Sequence, residues 1–224
     1  MAAILEVINV SKIYGKGGNA VAAVDSVSLS LDRREVLMIM GPSGSGKTTL
    51  LSMMGCILRP TSGEVRIDGR EVSNLDERAL PDIRRKYIGF VFQSFNLFPS
   101  LTAQENVELV LRLKHTDRTR FKDQSLALLD QVGLAKRARQ YPADLSGGEK
   151  QRTALARALA GDPPIILADE PTANLDSQTG REVLLLLRRL AEKSDKAVAI
   201  VSHDPKAESV VHRVAVLEDG RLRA

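Results

Sequence analysis

Two short stretches of this sequence bring together residues suited to phosphate chemistry. Gly41-Pro42-Ser43-Gly44-Ser45-Gly46-Lys47-Thr48 satisfies the pattern G-x-x-x-x-G-K-[ST] at every fixed position. Glycines let a backbone curl so that successive N–H groups converge on phosphate oxygens. A helix starting near Gly46 adds the positive end of its dipole. In such a loop Lys47 neutralises β- and γ-phosphates and the Thr48 hydroxyl binds magnesium. A chance glycine-rich turn is the alternative. The context argues against it: an apolar run precedes the loop and the helix-forming Thr48-Thr49-Leu50-Leu51 follows. The second stretch is Ile165-Ile166-Leu167-Ala168-Asp169-Glu170, an apolar run ending in two carboxylates. Carboxylates at the end of a buried strand sit at the rim of a sheet, where open α/β folds bind ligands. Asp169 is then placed to hold Mg2+ through its waters, and Glu170 to accept a proton from an attacking water. Taken alone, the pair reads equally well as a helix cap at a strand exit.

The elements that must carry these residues are visible in the hydrophobic pattern. Val27-Ser28-Leu29-Ser30-Leu31 alternates, as a half-buried strand does. Val36–Met40, Ile165–Ala168 and Val198–Val201 are continuous apolar runs, the mark of strands buried on both faces. Glu64–Ile67 meets Asp68-Gly69, a hairpin turn signal, and Val214–Leu217 meets a second at Asp219-Gly220. Residues from about Ala103 to Arg139 read as helical. Val183, Leu186, Leu187 and Leu190 form the stripe of an amphipathic helix. Buried strands alternating with helices imply a parallel sheet, with a small antiparallel sheet toward the N-terminus.

The 224 residues are enough for one generous domain. With 43% hydrophobic and 27% charged residues the composition is that of a globular protein. No apolar run approaches the roughly 20 residues that cross a bilayer, and the first residues lack the basic and apolar regions of a signal peptide. A single cysteine, Cys56, forms no internal disulfide and fits a reducing cytosol. It reads as a small core residue on the helix after the phosphate loop. The net charge of +4 is dispersed, its longest run being Arg84-Arg85-Lys86, so an ordinary basic surface is expected rather than a nucleic-acid site.

Leu145-Ser146-Gly147-Gly148-Glu149 is the most informative stretch. A capping box accounts for Ser146 and Glu149 but not for two consecutive glycines, which are poor helix formers. Glycines at a helix start suit the approach of backbone amides to an anion. With these residues the chain resembles an ATP-binding cassette nucleotide-binding domain over essentially its whole length. The resemblance implies an α/β fold: a P-loop NTPase core with a mostly parallel sheet, an N-terminal antiparallel β subdomain and an inserted helical subdomain at about 95–160. Residues 1–224 would form one such domain, an ATPase using ATP and Mg2+. The phosphate loop would supply Gly41 to Thr48, with Thr49 beside it. Ser146-Gly147-Gly148 would contact the γ-phosphate held by a second copy, and Asp176, in Ala173-Asn174-Leu175-Asp176, would lie at the dimer interface. Gln93 would sense magnesium and water and connect to the membrane partner. His203 would hold the γ-phosphate and water, and Tyr14 would stack on adenine.

A finer resemblance, to the macrolide-export and lipoprotein-release group, rests on Ile88-Gly89-Phe90-Val91-Phe92-Gln93-Ser94-Phe95-Asn96-Leu97, Leu101–Val107 and Pro164–Glu170. It implies an ATP-dependent homodimer, peripheral on the cytoplasmic face of the cell membrane, driving an integral membrane permease in export or extraction. Lys150 departs from the group, which often has Gln there, and Asp32-Arg33-Arg34 stands where Gly is usual. Alternatives are an ATP-gated assembly module of cell-division type and a nucleic-acid ATPase. The stretch between Gln93 and Ser146 is too short for the long coiled coils of chromosome-maintenance relatives. Phe90, Phe92, Phe95 and Phe98 are core residues by default, with Phe95, Leu97 and Phe98 available instead as a socket for a partner's cytoplasmic helix. His115 and His212 read as surface or packing residues.

Overall fold

The computed structural model describes residues 3–15, 17–114 and 117–223, so His115 lies outside the described residues. Strands β1 (Leu5–Tyr14), β2 (Val21–Leu31) and β3 (Val36–Met40) lead to helix α1 (Lys47–Met54). Then come β4 (Ser62–Ile67), β5 (Arg70–Glu71), α2 (Leu80–Tyr87), β6 (Ile88–Val91), α3 (Ala103–Leu113), α4 (Phe121–Gln131) and α5 (Gly147–Leu159). The chain continues through β7 (Ile165–Asp169), α6 (Ser177–Ser194), β8 (Ala197–Ser202), β9 (Arg213–Glu218) and β10 (Arg221–Leu222).

The larger sheet has the order β10-β9-β3-β8-β7-β6. Its pairings are parallel except for the short terminal hairpin of β9 and β10. Because the strands are parallel, β3, β6, β7 and β8 all end at one edge, which is where the candidate residues lie. The apolar runs read from sequence are buried on both faces. Leu37, Ile39, Ile165, Leu167, Ala199 and Val201 face a core shared with α1 and the N-terminal sheet. Met38, Ile166, Ala168, Val198 and Ile200 face the opposite core, shared with α3, α5 and α6. Each fully buried aliphatic side chain contributes about 1.5–3 kcal/mol, so the sheet is anchored from both sides.

The N-terminal sheet, β2-β1-β4-β5, is antiparallel throughout. Asp68 and Gly69 turn it with φ of 53° and 72°, the left-handed pair that a tight hairpin demands. The α/β class, the mostly parallel sheet and the antiparallel N-terminal sheet are therefore as expected.

Three local expectations are corrected. The helical stretch from Ala103 divides into α3 and α4, with 3-10 turns at Arg118–Arg120 and Ala135–Arg137. Cys56 lies beyond the end of α1 at φ 54°, still buried. Of the four phenylalanines only Phe90 packs against the core. Phe90, Phe92 and Phe95 are half-buried and Phe98 is 49% exposed, the rings of Phe90 and Phe92 stacking at 4.5 Å. Helix α2 is not evident from pattern alone, being only two turns long. It buries Leu80 and Ile83 and sets Arg84, Arg85 and Lys86 in its last turn, where the dipole favours cations.

Candidate nucleotide site

β3 delivers the phosphate loop to the sheet edge, and two glycines make the curl possible. A Cβ on Gly41 would lie 2.0 Å from Leu217 O, and one on Gly46, at φ 98°, 2.0 Å from Ala23 O. No side chain caps α1 among the described residues, so its first N–H groups are available to an anion. Lys47 is 7% exposed, and its Nζ donates to Gly41 O at 2.8 Å and Pro42 O at 2.7 Å. Ser45 Oγ is buried without a hydrogen-bond partner among the described residues. A buried ammonium held only by carbonyls, with an orphaned hydroxyl beside it, fits a polyanion.

β7 delivers Asp169 and Glu170 to the same edge. Thr48 Oγ1 donates to Asp169 Oδ1 at 3.1 Å across a separation of 121 residues. Burial raises the Asp169 pKa above its ordinary 3.8, the Thr48 hydrogen bond opposes this, and Glu170 adds to the rise. Glu170 adopts φ 46°, a left-handed conformation for a residue with a side chain, and its N–H donates to Val201 O at 2.9 Å. Strain of this kind gathers at functional sites. His203, just after β8, places Nδ1 2.8 Å from Glu170 Oε1. With the carboxylate oxygen as acceptor, Nδ1–H is the donor of this bond.

Gln93 follows β6 and is exposed, but its backbone is tied down. Asn174 Nδ2 donates to Gln93 O at 2.9 Å. Two residues on, Arg157 of α5 donates to the carbonyls of Phe95, at 2.7 Å, and Asn96. Gly44, Lys47, Thr48, Gln93, Glu170 and His203 line one cavity of about 360 Å³, with Thr49 at its wall.

Tyr14, Ser146, Gly147, Gly148 and Asp176 stand outside that cavity. Tyr14 ends β1 with its ring 47% exposed and Lys12 Nζ 5.6 Å from the ring centre. Ser146 caps α5 by the expected box: its Oγ accepts from Glu149 N–H, and Glu149 accepts from Ser146 N–H at 2.9 Å. Those bonds lower the Glu149 pKa. Gly147 backs onto Asn174 O, and a Cβ on Gly148 would collide with Thr179. Asp176 caps α6, accepting from Gln178 and Thr179 N–H, and its carboxyl is held below the usual range by the bonds to Thr179. His212 accepts from Val36 N–H at 2.9 Å, a packing role as expected.

Arg157 is a positioning residue that no motif announced, and Asn174, though inside the quoted loop, was not expected to hold Gln93. For Arg157 a signal existed: it is the one charge within the apolar stretch Ala154–Leu159.

A family model described as ABC transporter matches residues 24–173. The chain belongs to the ABC transporter family. This cassette is 46% identical over 222 residues to an ABC transporter ATP-binding protein of Thermotoga maritima, covering 99% of this chain and 94% of that one. It is 42% identical to the macrolide export ATP-binding/permease protein MacB of Salmonella choleraesuis, over 99% of this chain but 34% of MacB. The dimeric post-hydrolysis structure of the Methanocaldococcus jannaschii cassette MJ0796, bound to ADP and Pi, superposes with a TM-score of 0.90 at 44% identity, covering 98% of this chain and 97% of that one. Among the described residues no helix is long and apolar enough to cross a membrane.

Proposed function

We propose that this cassette hydrolyses ATP as a homodimer around two Mg-ATP and drives a membrane permease of the macrolide-export/lipoprotein-release type, exporting or extracting its substrate. The observation that carries the reading is the convergence of Lys47, Thr48, Gln93, Glu170 and His203, from four strand ends, on one cavity of about 360 Å³. We read residues 1–224 as one cassette whose helical part, about 95–160, carries the signature at Ser146.

The loop N–H groups and Lys47 bind the β- and γ-phosphates, and Tyr14 stacks on adenine. Thr48, Asp169 and Gln93 form a hydroxyl, carboxylate and amide set suited to Mg2+ that also keeps waters and phosphate oxygens. A magnesium ion held by these residues would supply positive charge against the phosphates. Glu170 takes a proton from the water that attacks the γ-phosphorus, the bond to the β-phosphate oxygen breaks, and ADP and phosphate separate. His203, oriented through Nδ1 by Glu170, donates from Nε2–H to the γ-phosphate as the imidazolium, in which both ring nitrogens are donors. Ser146, Gly147 and Gly148 of one copy close over the nucleotide of the other, with Asp176 and its loop at the joint. The MJ0796 dimer and the permease portion named in MacB support two copies and a membrane partner. Such a partner holds the cassette at the cytoplasmic face.

Light scattering on Glu170→Gln tests this. The variant is a dimer in Mg-ATP and a monomer in ADP, with hydrolysis lowered at least about 100-fold and ATP affinity retained. A monomer in both, with ATP binding verified by titration, overturns the homodimer. Equal loss of binding and hydrolysis overturns the role of Glu170.

A further inference from the structure

Lys12 and Tyr14 stand two residues apart on β1 and so project to the same side of the N-terminal sheet. The strand is irregular at this point. Lys12 pairs with Val24 of β2, Ile13 with Ala22 and Tyr14 with Val21, and the register shifts on either side of Lys12. Such irregularities re-aim side chains and gather next to functional sites. Here Lys12 Nζ comes to lie over the Tyr14 ring, 5.6 Å from its centre. The ammonium is also fastened, because it donates to Arg59 O at 2.8 Å, in the segment after α1.

Lys12 is half-buried, whereas Tyr14 stays 47% exposed although an ammonium already covers one face of its ring. The exposure therefore belongs to the other face. The strand paired with Tyr14 leads straight to the phosphate loop. Two residues after Val21, Ala23 lines the nucleotide cavity and sets its carbonyl against Gly46. A ring with one face held and the other open, next to a phosphate site, is a platform for a planar base. A cation over an aromatic face draws π density toward itself, which lessens the repulsion a second π system meets on the far face. A fastened cation also limits the ring's motion, so less freedom is lost when the base binds.

We propose that Lys12 is a positioning residue for adenine: its ammonium backs one face of the Tyr14 ring while the base stacks on the other. The inference rests on the reading that Tyr14 receives adenine, and it adds the residue that sets the ring. Lys12 touches neither base nor phosphate and acts through Tyr14 alone.

That last point makes the proposal testable by a double-mutant cycle, read by titration calorimetry of the whole chain with Mg-ADP and, as a ligand without a base, pyrophosphate. Lys12→Met keeps the apolar stem and removes the charge. It weakens ADP binding about two- to fivefold, the worth of a partly exposed cation–π contact, and leaves pyrophosphate affinity within about 1.5-fold. Lys12→Arg, which keeps a cation over the ring, stays within about twofold of the parent for ADP. Tyr14→Ala weakens ADP at least about fivefold, and adding Lys12→Met to it changes ADP affinity less than about 1.5-fold. An equal loss of ADP and pyrophosphate affinity in Lys12→Met means that its charge acts on the phosphates, and overturns the proposal. So does an effect of Lys12→Met that persists in the Tyr14→Ala background. Parent-like ADP affinity in Lys12→Met beside a weakened Tyr14→Ala overturns the role of Lys12 and leaves the adenine reading standing. Parent-like affinity in Tyr14→Ala overturns both. A melting midpoint and pyrophosphate affinity matching the parent's verify that Lys12→Met is folded with its phosphate loop intact.

Discussion

Replacing Arg157 by Met separates positioning from stability. Arg157 is 8% exposed on α5, pairs with no carboxylate among the described residues, and donates to Phe95 O at 2.7 Å and to Asn96 O. Phe95 and Asn96 sit at φ 60° and 49°, two consecutive left-handed residues with side chains. Hydrogen bonds from a charged donor contribute about 1.5–3 kcal/mol each, so the pair contributes about 3–6 kcal/mol. Left-handed strain costs about 1–2 kcal/mol per residue, and about 2–4 kcal/mol returns when the loop relaxes. Relief of the buried guanidinium, whose desolvation lowers the Arg157 pKa, offsets more. Net destabilisation is at most about 1–2 kcal/mol, read by urea unfolding. Function suffers more. Gln93, two residues before the anchored carbonyls, loses its restraint, and a displacement of about 1 Å lowers hydrolysis on the order of 100-fold. Amide exchange over residues 94–97 accelerates in the same variant. A kcat within threefold of the parent, with unchanged exchange there, would refute the reasoning, as would a stability loss above about 4 kcal/mol.

Asp169→Asn is inactive yet more stable than the parent at pH 7. Because the folded pKa lies above 3.8, the folded chain keeps a proton that the unfolded chain has released, and stability falls as pH rises through that window. The gap between variant and parent therefore closes as pH falls toward 4; a less stable Asp169→Asn at pH 7 contradicts this. Lys114 behaves in the opposite range. With the folded amine at about 8 among Lys196, Asp162, Arg84, Arg85 and Arg157, the parent gains stability relative to Lys114→Met from pH 8 to about 10.4. Denaturant midpoints across that interval check it. Gly46→Ala abolishes ATP binding in titration calorimetry, because its Cβ meets Ala23 O at 2.0 Å; retained binding would mean the loop yields. Ser146→Ala loses about 1 kcal/mol of cap energy in thermal unfolding and, in the Glu170→Gln background, the ATP-dependent dimer mass.

Local features were legible in the residues because their physics is local. Val36 to Thr48 is strand, turn and helix in succession, and Ser146 is capped by Glu149 three residues on. Asp68-Gly69 can turn a hairpin only by adopting the left-handed pair it shows. The three runs buried on both faces announced a parallel sheet, since both faces must be covered. What the sequence could not contain was the strand order. β3, β8, β7 and β6 are neighbours out of chain order, and only that pairing sets Asp169 against Thr48 and His203 against Glu170. The same assembly places Asn174 on Gln93, closes Arg157 onto two strained carbonyls, leaves the phenylalanines half-exposed, and buries the Lys114 Nζ with no hydrogen-bond partner among the described residues. Those contacts join residues tens of positions apart. Their partners are chosen by which faces the packed sheet and helices bring together, not by any property of the residues read one by one.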